Sequence, residues 1–230
     1  MSPWYLLRLC YSVFTCKYLE VPLFFLPAFF LRLRVLNPMM RATQGSVDAA
    51  SMALVHKWAI NLSGGYHHAH RTSGGGFCIF PDITFVVHYI RKWYGLKRFL
   101  IVDLDAHQGN GHERDFINDV DVFILDAYNH QIYPGDELAQ QAIKEDIVVT
   151  RSVKDRAYLE LVGSKLRLAV NSFQPEFIIY NAGTDCLDGD PLGGLHISEQ
   201  GIIDRDELLF RVAYQESKIP ILMVLSGGYQ

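Results

Sequence analysis

No stretch of this sequence is long and apolar enough to cross a bilayer unaided. The strongest candidate, residues 21–33, falls short of the roughly 20 residues a spanning helix needs, and Pro22 and Pro27 interrupt it. No small-residue cleavage site follows it, so neither a membrane anchor nor a signal sequence is expected, and the segment reads as buried core. Cysteine is also scarce. Cys10, Cys16, Cys78 and Cys186 are scattered and none forms a CxxC pair, which argues against a disulfide framework and favours a reducing, intracellular setting. Neither sign of charge dominates: the formal net charge is -4, so a broad nucleic-acid-binding surface is not indicated. Half of the residues are hydrophobic, which excludes a disordered chain. No repeat, low-complexity tract or Pro/Gly-rich linker divides the 230 residues, so residues 1–230 are expected to form a single domain.

What the sequence does contain is alternation. Apolar residues at helical spacing predict helices over 43–57, 83–93, 158–173 and 204–214. Short apolar runs predict strands over 58–62, 98–102, 122–125, 177–180 and 219–225. Strands alternating with helices imply an α/β fold, with helices on both faces of a mostly parallel sheet. Parallel strands send their carboxyl ends to one edge, where ligands gather.

Four of these strands end in chemistry-bearing residues: Gly64-Gly65-Tyr66-His67-His68, Asp103-Leu104-Asp105-Ala106-His107, Asp185, and Ser226-Gly227-Gly228-Tyr229. Asp105 and His107, two residues apart, can reach one point, and imidazole with carboxylate suits zinc. Asp185 is the candidate third ligand, with Asp188 and Asp190 as competitors in the same flexible run. Three protein ligands leave a position for water and substrate, as in a catalytic site. His67 and His68 can face one cleft only where the backbone turns, which Gly64 and Gly65 permit; they suit a general base and its electrostatic partner. Asp103 can orient a histidine from behind, and Tyr229 can donate to a developing oxyanion. Each residue taken singly has a structural alternative, a helix cap, a loop histidine or a core tyrosine. Cys186 reads as a buried, inert thiol.

Binuclear manganese hydrolases such as arginase carry Asp-x-His-x-Asp, whose last carboxylate helps hold a second metal. Here that position is Gly109, which favours one metal.

These residues resemble the zinc-dependent histone deacetylase family, specifically its class IV branch. The resemblance rests on Gly64-Gly65-Tyr66-His67-His68, Gly75-Gly76-Phe77-Cys78, Asn181-Ala182-Gly183-Thr184-Asp185 and Ser226-Gly227-Gly228-Tyr229-Gln230. The run from Asp103 through His107-Gln108-Gly109-Asn110-Gly111-His112-Glu113-Arg114-Asp115 to Phe116, and Tyr133-Pro134-Gly135-Asp136, carry the class IV likeness. It extends back through Glu20-Val21-Pro22.

The resemblance implies an arginase/deacetylase-like fold and hydrolysis of acyl-lysine on histones or other proteins, with zinc on Asp105, His107 and Asp185. It implies His68 as general base, His67 as its partner on Asp103, and Tyr229 at the oxyanion. Gly76, Phe77 and Tyr133 would line the tunnel for the lysine stem. A structural potassium is implied beneath the zinc loop, near Asp103, Asp105, His107 and Asp126. Asn110 stands where some branches place a second orienting Asp, so His68 should lack that carboxylate's support. Family domains begin well before the counterpart of Met1, with a first strand and a substrate-gripping acidic loop, and continue past Tyr229. An incomplete domain is therefore expected. Class IV likeness raises fatty-acyl substrates beside acetyl. Two alternatives stay open: an inactive fragment serving as a binding or regulatory partner, within a protein complex or alone, and a hydrolase of small amides or acetylpolyamines. No basic targeting cluster chooses between nucleus and cytoplasm.

Overall fold

β-Branched, aromatic and long aliphatic residues fill the strand-forming runs, as a sheet buried on both faces requires. The structure, a computed structural model, describes residues 1–22 and 25–230. Its strands are β1 (Trp58–Asn61), β2 (Phe99–Asp103), β3 (Val122–Tyr128), β4 (Ile143–Val148), β5 (Phe177–Asn181) and β6 (Ile221–Val224). They form one sheet in the order β1-β6-β5-β2-β3-β4, and every pairing is parallel. The helices are α1 (Pro3–Arg8), α2 (Ser12–Leu19), α3 (Ala28–Leu31), α4 (Asn37–His56), α5 (Asp82–Tyr94), α6 (Asn110–Phe116), α7 (Glu137–Gln140), α8 (Asp155–Phe173) and α9 (Glu199–Phe210). A π-helical turn, Arg32–Leu36, joins α3 to α4, and another, Arg211–Glu216, extends α9.

Alternation along each strand builds a core on either side of the sheet. Leu100, Val102, Ile178 and Tyr180 meet Tyr158, Val162 and Leu166 of α8 and Leu209 of α9. Phe99, Ile101, Phe177 and Ile179 meet Ala50 and Ala53 of α4 and Val86, Val87 and Ile90 of α5. Each fully buried aliphatic side chain contributes roughly 1.5–3 kcal/mol, and the result is three layers, α/β/α.

Register sets the position of the site. Asn61 pairs with Val224, Val224 with Asn181, Asn181 with Asp103 and Asp103 with Asp126, so five strands reach the carboxyl edge in one row. β1, β6, β5 and β2 are neighbours, which brings the segments that follow them together. Gly64 and Gly65 take positive φ values of 83° and 67°. That backbone is accessible to glycine, and it turns the chain after β1 so that both histidines face inward. Asp82 fixes this turn. It is buried at the start of α5 and accepts from the Gly65 and Tyr66 backbone N–H groups at 2.9 and 2.8 Å and from the Ser46 hydroxyl at 2.6 Å.

Two sequence expectations need correction. The described residues of 21–33 do not form a continuous buried core: Phe25, Phe29 and Phe30 are 69%, 63% and 54% exposed. Leu31 is buried, because the single turn of α3 turns one face inward and leaves the rest outside; Leu23 and Phe24 of this stretch lie outside the described residues. β4 was not expected, because Lys144, Glu145 and Asp146 hide its apolar residues. Charge of that kind is usual on an edge strand, where it discourages pairing with other chains. Among the described residues no helix is long and apolar enough to cross a membrane.

Candidate active site

Asp105, His107 and Asp185 converge on one buried point, with their ligand atoms within 4.8 Å of one another. His107 Nδ1 lies 2.8 Å from Asp185 Oδ2 and 3.1 Å from Asp105 Oδ1. The Ala106 backbone N–H donates to Asp185 Oδ1 at 2.8 Å, and the Ser226 hydroxyl donates to Asp105 Oδ2 at 2.6 Å, so both carboxylates are held from behind. Burial opposes charge on His107, but the two carboxylates outweigh it and push its pKa up to about 10. Burial, and then repulsion from Asp105, pushes Asp185 up to about 7. A point that so favours positive charge, fringed by two carboxylates and an imidazole, has the donor set of a divalent metal site. Gly227 makes room for it: a Cβ there would stand 2.4 Å from Asp185 Cγ and 2.6 Å from Asp105 Oδ2.

Asp188 and Asp190 lie elsewhere. Asp188 pairs with His196, while Asp190 accepts from the backbone N–H groups of Leu192, Gly193 and Tyr229. Of the carboxylates in that run, only Asp185 reaches the cluster.

His67 and His68 lie beside it with ring centroids 4.0 Å apart and planes tilted by 47°. His67 Nδ1 donates to Asp103 Oδ2 at 2.9 Å, and its Nε2 lies 3.8 Å from Asp105. Burial disfavours its charge, but Asp103 and Asp105 prevail and raise its pKa to about 9. His68 differs in its partner, because Nδ1 donates to the neutral Asn110 amide oxygen at 2.8 Å. Burial, reinforced by the charge on His67, lowers its pKa well below the ordinary histidine value. The environment thus pushes two adjacent histidines in opposite directions, His67 toward its charged form and His68 toward its neutral one.

These groups stand at a cavity of about 260 Å³ lined by the 64–68 turn, Gly76, Phe77 and Tyr229. The Tyr229 ring lies 6.2 Å from His107 and 6.4 Å from Phe77. Burial, with the charges of Asp105 and Asp185, raises its pKa and keeps the hydroxyl protonated. Tyr133, expected beside Gly76 and Phe77, is not among the residues lining this cavity; it packs edge-on against His68 at 4.9 Å and donates its hydroxyl to Glu20 at 3.1 Å.

A sequence profile for the histone deacetylase domain matches residues 28–230. The chain belongs to the histone deacetylase family. Over 226 residues it is 46% identical to Histone deacetylase 2 of Arabidopsis thaliana, an alignment covering 98% of this chain and 58% of that protein. A probable deacetylase of Archaeoglobus fulgidus is 28% identical over 170 residues, 71% of this chain and 47% of its own length. The chain thus spans about half the length of these curated relatives. The crystal structure of the HDA15 HD domain superposes with a TM-score of 0.72 at 24% identity, covering 82% of this chain and 56% of the other; that likeness establishes the shared fold.

Some features of this family member are visible only in three dimensions. His112 donates from Nε2 to Asp103 Oδ2 at 2.8 Å, sharing the oxygen that His67 uses, while the Asn181 amide donates to the other oxygen at 2.8 Å. Asp103, His112 and Asp126 form a second buried group within 4.8 Å. Burial and the nearby charges of Asp103 and Glu113 raise the Asp126 carboxyl well above its ordinary value. The Gln108 side chain ties Glu113 to the Asp136 backbone, and Asp136 receives a bidentate Arg114. Spacing offers no signal for the contacts of Asp126, Asp136 and Asn181, because their partners are distant in sequence or lie on the backbone.

Proposed function

We propose that this chain binds one zinc ion through Asp105, His107 and Asp185 and hydrolyses acyl-lysine amides on proteins, histones among them. The observation that carries this is the placement of a histidine kept neutral, with only Nδ1 engaged, beside a buried cluster of three metal-ligand side chains. Zinc, when bound, supplies Lewis acidity to the amide carbonyl and to the attacking water.

The rest of the reaction is derived from the chain's own groups. The Asn110 oxygen holds the proton of His68 on Nδ1, leaving Nε2 to take a proton from the attacking water and return it to the departing lysine amine. His67, carrying a proton and fixed on Asp103, keeps His68 neutral until that transfer and balances the carboxylates. Tyr229 donates its hydroxyl to the oxyanion that forms at the amide carbon. The cavity of about 260 Å³ beside Gly76 and Phe77 has room for an aliphatic stem.

The test measures acid release from lysine peptides carrying acetyl or myristoyl groups, with acetylated polyamine as a third substrate and Tyr229→Phe as control. Turnover of a lysine peptide is expected, and the control should lose kcat by roughly 10²–10³-fold, the effect of one oxyanion donor, with zinc content unchanged. Preference for the polyamine would replace the protein substrate, and full activity in the control would remove Tyr229 from the mechanism.

Asn110→Asp tests the other half of the site. A carboxylate on His68 Nδ1 stabilises the imidazolium and raises its pKa, and the base must be neutral to accept a proton. The acid limb of the kcat/KM profile is therefore expected to move to higher pH. An unmoved limb would mean that His68 does not set it.

A further inference from the structure

Arg205 is a fully buried cation for which the reaction above has no use. It projects from α9 and is 0% exposed. Nη1 donates to the Gly183 carbonyl at 2.7 Å and the Leu104 carbonyl at 3.2 Å, and lies 3.2 Å from Cys186 Sγ. Nε donates to Asp206 at 3.0 Å, and the guanidinium sits over the Tyr180 ring at 5.8 Å. The Tyr180 hydroxyl donates to the same Asp206 oxygen at 2.5 Å, which fixes the carboxylate that holds Arg205.

The location of the two carbonyls gives this arrangement its meaning. Leu104 lies between Asp103 and Asp105, at the carboxyl end of β2. Gly183 and Cys186 flank Asp185, beyond the end of β5. One nitrogen therefore joins the backbones of the two loops that present Asp105 and Asp185, and Arg205 is not among the residues lining the cavity. The loops are also tied by the Leu104 N–H to the Asn181 carbonyl at 3.0 Å and by the Ala106 N–H to Asp185 at 2.8 Å. The first tie continues the sheet and the second belongs to a ligand itself, so Arg205 is the tie that a side chain from another layer supplies.

Packing alone does not call for a guanidinium here. Burying one is costly, and an apolar side chain of similar volume would fill the same core without that penalty. A guanidinium does provide rigid donors able to serve carbonyls on separate loops at once.

We propose that Arg205 is a positioning residue for the metal centre, holding the Asp105 and Asp185 loops at ligand spacing. This rests on the zinc reading above. The experiment is a zinc titration against a competing chelator, with the visible spectrum of the cobalt-substituted protein, on the wild-type chain, Arg205→Met and Arg205→Lys. Metal-free melting temperatures are recorded alongside.

Arg205→Met is expected to weaken zinc binding by roughly 10–100-fold, the usual effect of removing a group that orients ligands, and to alter the cobalt bands. Arg205→Lys should restore part of both, since an ammonium can serve one carbonyl. A folded Arg205→Met with wild-type zinc affinity and an unchanged cobalt spectrum overturns the proposal and leaves Arg205 a role in folding only. If Arg205→Met does not fold, Arg205→Lys decides: altered cobalt bands at a wild-type melting temperature support the role, and unchanged bands overturn it. Failure of the zinc reading is distinguishable, because the wild-type chain would then take up no zinc.

Discussion

Asp185→Ala is expected to abolish zinc uptake, lowering metal content from about one ion per chain to none and hydrolysis to background. The three side chains proposed as ligands come from two loops, and among the described residues Asp185 is the one that the loop after β5 contributes to the cluster. Without it, Asp105 and His107 remain, an incomplete set for tetrahedral zinc. Asp185 also accepts the Ala106 N–H and lies 2.8 Å from His107 Nδ1, so truncation leaves a buried donor unpaired and releases one side of the imidazole. An unpaired buried donor costs about 1–3 kcal/mol. Relief of the repulsion between Asp105 and Asp185 offsets part of that, so the metal-free protein should melt only a few degrees lower. Metal analysis, and a melting temperature that zinc no longer raises, check both statements. A variant that still holds one tightly bound zinc would sink the ligand assignment and return Asp188 or Asp190 to consideration.

That choice among three aspartates marks the boundary of what the sequence conveys. The runs that became β2, β5 and β6 are continuous and apolar because both of their faces are buried, and continuity is visible without coordinates. Residues following a strand are equally visible, and parallel pairing alone suffices to bring the loops of β1, β2, β5 and β6 together. The distance between a carboxylate and its neighbours is not visible. Asp190, which caps backbone N–H groups, and Asp185, which meets His107, look alike in the run from Gly183 to Asp190.

Asp82 and Arg205 were illegible for a related reason. Each is a buried ionisable residue that bonds to backbone groups distant in sequence, and a backbone group has no residue type to recognise. Asp82 reads as an ordinary acidic residue in the first turn of a helix, yet its oxygens hold the turn that carries His67 and His68. The exposed aromatics of residues 25–30 misled in the opposite direction. Composition reports that a segment is apolar; it does not report which side faces inward, and here Leu31 is buried while Phe25, Phe29 and Phe30 are exposed.

The replacement His68→Ala is expected to lower kcat by roughly 10²–10⁴-fold, the usual contribution of a positioned general base, while zinc affinity stays near that of the wild type. The two effects separate because His68 bonds to Asn110, whereas the metal-ligand cluster is held by Asp105, His107, Asp185, Ala106 and Ser226. The pH profile gives the sharper result. Burial and the charge on His67 hold His68 well below the ordinary histidine pKa, so the neutral, proton-accepting form predominates at neutral pH. Wild-type kcat/KM should rise with pH through that lowered pKa and then level off. In His68→Ala the rising limb should disappear, and imidazole added to the solution should restore part of the rate. His67 is poorly suited to take over. Its Nδ1 is committed to Asp103, and its pKa, pushed up to about 9, keeps a proton on the ring. A His68→Ala enzyme within tenfold of wild-type kcat, with its acid limb intact, would therefore move the base to a group outside the histidine pair.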